Sequence, residues 1–200
     1  MAFIVNETSG GDFTPLNPGD YLAHCIGVYY LGLQRNELDP GKPPKGKLAI
    51  EFEVAGEFQD NGKPHKLLQF FTMSLHKQSA LRPFLEIWRG KPFDPAGLAT
   101  FDVSKLVGIP AKLIVTHKVK QSGGVRAVIN MAMPVKADTK ARMNPPITTP
   151  VLFDADSPDA GVYAGLPDFL KTMIANAEKP TPIAAGPVKA VPEFDDDLSF

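Results

Sequence analysis

The chain reads as a mainly β protein with accessory helices, its elements ordered strand, strand, strand, helix, strand, strand. Three features of the 200-residue sequence predict this order. Residues 45–54 alternate cleanly, with Leu48, Ile50, Phe52 and Val54 on one face and Lys47, Ala49, Glu51 and Glu53 on the other, as a half-buried strand requires. Residues 112–120 and 124–133 repeat the two-residue period on either side of Gln121-Ser122-Gly123-Gly124, a hairpin signal. Between these regions the period lengthens: Leu81, Leu85 and Trp88 recur at helical spacing.

Taken in order, residues 1–19 form an N-terminal arm rich in Gly, Thr, Asn and Pro, ending in the turn Asn17-Pro18-Gly19-Asp20. Residues 20–35 crowd Tyr21, Cys25, Ile26, Val28, Tyr29, Tyr30 and Leu31 into one strand. Gly27 and Gly32 supply the bends of a first strand that curls around a barrel. After the proline-rich loop 36–44 and the strand 45–54, Asp60-Asn61-Gly62 is a strong turn signal, and residues 66–72 complete a hairpin.

Ser74 is the expected cap of a helix whose stripe is Leu75, Leu81, Leu85 and Trp88, widened by Ala80, Phe84 and Ile87. Pro83 is expected to break this helix or to restart it, and Gly90 to end it. Trp88 could stack on a base, but its spacing favours the core. A helical turn is expected at 103–107, capped by Asp102 or Ser104 and stopped by Gly108-Ile109-Pro110. Residues 134–166 read as irregular, and 167–178 as a short helix with Phe169, Leu170, Met173 and Ile174 apolar. The organisation expected is therefore an arm (1–19), a β domain (20–135), an irregular extension with a short helix (136–178), and a flexible linker with an acidic tail (179–200).

Composition narrows the function classes. The single cysteine, Cys25, leaves no disulfide framework and no cysteine-based metal site, which fits a reducing cytoplasm. The first residues lack a basic region followed by an apolar stretch, so no signal peptide is expected, and no window approaches the ~20 apolar residues of a membrane span. Charge is unevenly spread: residues 1–150 carry 18 Lys and Arg against 13 Asp and Glu, whereas residues 151–200 carry 3 against 9. A basic body with an acidic tail is the pattern of a polyanion binder that carries a competing anion of its own. Ordinary charge scatter is the alternative.

The last eight residues, Glu193-Phe194-Asp195-Asp196-Asp197-Leu198-Ser199-Phe200, place three aspartates before an apolar tip. Adjacent like charges do not suit a buried strand, and two apolar side chains at the end of a solvated tail invite a pocket on another protein. An acidic solubilising end is the competing reading. This tip resembles that of bacterial and phage single-stranded DNA-binding proteins, with Ser199 where the familiar tip carries Pro. The resemblance implies that Asp195, Asp196, Asp197, Leu198 and Phe200 bind partner proteins of replication or recombination.

The element order is also that of the oligonucleotide/oligosaccharide-binding (OB) fold, a five-stranded Greek-key barrel of β-β-β-α-β-β order with a helix between strands three and four. Leu81, Arg82, Leu85, Trp88, Arg89 and Gly90 then resemble the Leu-Arg-x-x-Leu-x-x-Trp-Arg-Gly helix of a phage-encoded family of OB-fold single-stranded DNA-binding proteins. The likeness continues through Phe101-Asp102, Leu106 and Gly108, and spans residues 20–175.

Binding single strands without sequence preference needs cations along a backbone path and aromatic faces for stacking. On the OB pattern the groove is the face of strands two and three with its flanking loops. The cations expected there are Lys45, Lys47, Lys66, Lys112, Lys118, Lys120 and Arg126. Neighbours on a strand point to opposite faces, so one member each of Tyr29/Tyr30 and Phe70/Phe71 is expected in the core and the other outside. The outer member could equally cover a neighbouring subunit or the arm. No paired-cysteine, His-x-x-x-His or phosphate-loop motif appears, so neither catalysis nor a metal or cofactor is expected. The sequence thus points to a phage protein of the host cytoplasm that coats single-stranded DNA, compatible with a homo-oligomer. A replisome adaptor using the same scaffold to bind protein is the alternative, and a DNA-processing enzyme a weaker one.

Overall fold

A computed structural model describes residues 14–36, 39–120 and 123–178 of the chain. Six strands form one sheet: β1 (Gly19–Gln34), β2 (Lys45–Phe58), β3 (Pro64–Thr72), β4 (Pro110–Val119), β5 (Val125–Met133) and β6 (Val151–Asp154). The hydrogen-bonded order is β3-β2-β1-β4-β5, all antiparallel, and β6 adds to β1 in parallel. β3 and β5, at the two ends of this order, also approach each other, which is compatible with a barrel-like closure.

β1 organises the sheet. Of its 16 residues, those from Ala23 to Gln34 pair with β2 on one edge, while the other edge is divided. Residues 19–24 use that edge for β4, and residues 27–30 use it for β6. The handover coincides with a register shift between Cys25 and Gly27. Gly27 is needed there because the Tyr29 ring folds back over it, and a Cβ at 27 would lie 2.2 Å from the Tyr29 hydroxyl.

The two faces of the sheet carry separate cores. The inner face gathers Val28, Leu48, Ile50, Phe52, Val54, Phe71, Leu113 and Val115, so the predicted alternation of β2 holds. Helix α1 (Leu81–Arg89) packs its Leu81, Leu85 and Trp88 into this core. Trp88 is a core residue: its ring centre lies 5.1 Å from that of Phe52, and its indole N–H donates to the Pro110 carbonyl at 3.0 Å. Leu16 of the N-terminal arm enters the same core, its carbonyl accepting from His117 Nε2 at 2.9 Å.

Three expectations for this region need correction. Pro83 neither breaks nor restarts the helix, because it is the third helical residue, and amides of the first turn have no partner within the helix. Ser74 is not the cap; Ser79 Oγ instead accepts from the Leu81 amide at 3.2 Å. Ile87 is exposed, so the stripe is narrower than predicted. Gly90 does end the helix, at φ 70°, with its N–H returned to the carbonyls of Glu86 and Ile87. A short helix not anticipated, α2 (Pro95–Thr100), follows, and the expected turn is a 3-10 helix over Val103–Leu106 capped by Asp102.

The outer core was not foreseen. Residues 134–166 are not irregular: they hold α3 (Ala137–Arg142), β6 and α4 (Ala160–Gly165), and the expected last helix follows as α5 (Asp168–Ala175). Phe153, Leu166 and Leu170 from this extension cover Tyr29, Leu31 and Ala49 on the outer face. Its far end is fastened to β1, where Gln34 Nε2 donates to the Leu31 and Met173 carbonyls at 2.9 and 2.8 Å. Arg35 pairs there with Glu178. β1 is rich in apolar and aromatic residues from Cys25 to Leu31 because both of its faces meet a core here, Cys25 and Val28 the inner and Tyr29 and Leu31 the outer.

Candidate nucleic-acid interface

The outer face of β2 and β3 follows from their register. Lys47 stands opposite Thr72, Ala49 opposite Phe70, Glu51 opposite Leu68, and Glu53 opposite Lys66. Strand alternation puts these residues on one side and Leu48, Phe71, Ile50, Phe52 and Leu67 on the other. Phe70 is half-buried against the outer core, and the Lys47 ammonium lies 5.6 Å from the centre of its ring. Lys45 begins the strand and is exposed.

Both acidic residues on this face are already engaged by the chain. Glu51 Oε2 accepts from the Tyr29 hydroxyl at 2.7 Å. The buried Glu53 carboxylate accepts the Ile147 amide at 2.6 Å on one oxygen and the Thr148 amide at 2.9 Å on the other. Burial works against the charge on Glu53, but the Thr148 hydroxyl, these two amides and Lys66 outweigh it and hold its pKa below the usual glutamate value. Glu53 therefore fastens the extension and Glu51 holds Tyr29 of β1, while Lys45 and Lys47 make no ion pair among the described residues.

Each adjacent aromatic pair splits, though not as a simple alternation of core and solvent. Phe71 enters the inner core, 4.8 Å from the Phe84 ring centre, and Phe70 faces outward. Tyr29 is only 4 % exposed, because the extension covers it. Its hydroxyl pKa is raised by that burial and by Glu51. Tyr29 and Phe71 are thus withdrawn from the set of stacking residues. Tyr30 is half-exposed beside a cleft of about 390 Å³ lined also by Asp102, Asp154 and Asp156, a setting that repels phosphate.

The remaining expected cations divide by position. Lys112 is paired with Asp20 at 2.8 Å, so its charge is largely answered. Lys118 and Arg126 face each other directly across the β4–β5 ladder, and Lys120 lies at its tip. Among the described residues none of these three makes an ion pair. Like charges in direct opposition cost stability. The opposite face of the same hairpin end carries Val119 and Val125, also a cross-strand pair, 80 % and 41 % exposed.

One basic group escaped the sequence reading. Lys136 precedes α3 at its N-terminal end, and Lys140 and Arg142 occupy its last turn, with no ion pair among the described residues. The four-residue spacing of Lys136 and Lys140, with Arg142 close behind, was the available signal, hidden in a stretch whose prolines and threonines read as irregular. Arg142 lines a cleft of about 610 Å³ between residues 138–147 and the ends of β1, β2 and β3. Lys66 sits on β3 beside that cleft, two residues from its wall at Pro64.

The acidic tip, residues 195–200, lies outside the described residues. Among the described residues no three His, Cys, Asp or Glu side chains gather as a metal site, and no helix is long and apolar enough to cross a membrane. No family model matches the chain, and no curated protein matches it in sequence.

Proposed function

We propose that this chain is a single-stranded DNA-binding protein built on an OB barrel, serving phage replication or recombination in the host cytoplasm. It coats single strands without sequence preference and recruits partner proteins through its acidic tip. The strand order β3-β2-β1-β4-β5, with a helix between β3 and β4 and with β3 near β5, supports the OB assignment. The observation that carries the function is the Lys47 ammonium over the outward Phe70 ring on the β2–β3 face. It puts a backbone cation and a stacking surface side by side, the pairing that single-strand binding uses. The uncompensated Lys118, Lys120 and Arg126 at the β4–β5 end extend the positive path.

The test is a titration of the full chain with oligo-dT at two salt concentrations. Tight binding that weakens steeply with salt is the expected result. One observation favours the adaptor alternative: the extension already covers part of the outer face, leaving less of it for a strand. An adaptor would ignore oligo-dT at both salt concentrations.

A further inference from the structure

The cleft of about 610 Å³ beside α3 is not explained by packing. It lies within the usual size range of small-molecule sites, roughly 300–1,000 Å³. Its walls are largely apolar, with Leu22, Phe58, Pro64, Met143, Pro146 and Ile147 among them. Phe58, at the end of β2, is 52 % exposed and presents its ring to the cleft. Of its ionisable side chains, Glu53 has both oxygens filled by the Ile147 and Thr148 amides. The His24 ring is held toward its neutral form by burial, partly offset by Glu53. Asp138 and Arg142 stand one helical turn apart at the rim, and neither forms an ion pair among the described residues.

The cleft also continues the face described above. Pro64, Lys66, Leu68 and Phe70 alternate onto the outer side of β3, so the wall at Pro64 and the Phe70 ring lie about 20 Å apart along one strand. Lys66 falls between them.

We propose that this cleft takes one unstacked base of the bound DNA strand, with the ring against Phe58 and the adjoining phosphate on Arg142. The proposal rests on the single-strand-binding reading and adds a second stacking site at the far end of β3 from Phe70. An apolar wall with one exposed aromatic ring suits a base face of any sequence, and a free guanidinium at the rim suits a phosphate oxygen. A partner peptide with an apolar side chain would suit the walls too, but would leave Arg142 without an anion.

The test uses the full-length protein and its Phe58→Ala and Arg142→Gln variants, each titrated with oligo-dT across a salt series. In parallel, dTMP is added while the Ile147 and Leu22 methyl signals are followed by NMR. Phe58→Ala is expected to weaken oligo-dT binding roughly 5- to 150-fold. Arg142→Gln is expected to lower the salt slope by about 0.7. Thymidylate should shift both methyl signals in the wild type and not in Phe58→Ala. Both variants binding oligo-dT like the wild type, with no methyl shift, would overturn the cleft assignment and leave the single-strand-binding reading intact. Failure of the wild type to bind oligo-dT would overturn that reading. In that case a thymidylate shift would still retain the cleft as a nucleotide site, and its absence would overturn both.

Discussion

The Glu53 carboxylate holds the Ile147 amide at 2.6 Å and the Thr148 amide at 2.9 Å, joining the middle of β2 to a segment 94 residues further along the chain. Glu53 is buried and charged, so these two bonds are charge-assisted and stronger than a neutral pair. Glu53→Ala is expected to cost about 1–3 kcal/mol of unfolding free energy. The contribution has a definite pH dependence. The folded pKa lies below the ordinary glutamate value, so stability from Glu53 is fully present above about pH 4.3 and is lost as pH falls through the lower folded value. Urea unfolding from pH 7 to pH 3 should show wild type and variant converging at the acid end. A constant difference across that range would mean that the bond geometry carries no charge-linked stability.

Phe70 and Phe71 are adjacent and should behave oppositely. Phe71→Ala opens a hole in the inner core beside Phe84 and should lower stability by about 3–5 kcal/mol. Phe70→Ala removes a half-buried ring and should weaken oligo-dT binding by about 1–3 kcal/mol, with a smaller stability loss. Thermal melts and titrations on the same preparations would separate the two. If Phe70→Ala binds DNA like the wild type, bases do not stack on this face.

Lys118 and Arg126 oppose each other with no carboxylate between them. Replacing both with alanine should reduce the salt slope of oligo-dT binding by about 1.4. It should leave the unfolding midpoint unchanged or slightly raised, because a like-charge pair is removed. A fall in stability with an unaltered slope would make the pair structural.

Cys25 is fully buried, and burial pushes its thiol pKa up to about 12. The native protein should therefore leave a thiol reagent unreacted over hours at pH 8, and react at once in denaturant. Rapid labelling of native protein would show that β1 opens locally.

The tail and a bound strand are both anionic. Deleting residues 193–200 should raise affinity for oligo-dT at low salt, with the gain fading as the screening length falls below about 10 Å. Pull-down of replication proteins should fall in the same variant. Unchanged affinity at every salt concentration would separate the tail from the DNA site.

Much of this arrangement was legible where period and burial coincide. Leu48, Ile50, Phe52 and Val54 alternate because one face of β2 meets the inner core, and Leu81, Leu85 and Trp88 repeat because one side of α1 does. What stayed hidden depends on partners distant in sequence. Tyr29 carries no local sign that Phe153 will bury it, and Ala49 and Glu53 look solvent-facing until residues 147–170 are placed over them. β6 has four residues, and α3 and α4 have six each, too few for a periodic signal to emerge. The basic group on α3 was missed for that reason.

The division of one edge of β1 between β4 and β6 has a consequence during synthesis. Residues 27–30 are made early, and the strand that completes their edge is made about 120 residues later. At ribosomal rates of roughly 5–20 residues per second, that edge waits on the order of 10 s for its partner. Through this interval the nascent chain presents unpaired backbone groups flanked by Val28, Tyr29 and Leu31, a template for pairing with another copy. A chain whose translation stalls before residue 151 should therefore aggregate, or demand a chaperone, far more readily than the finished protein.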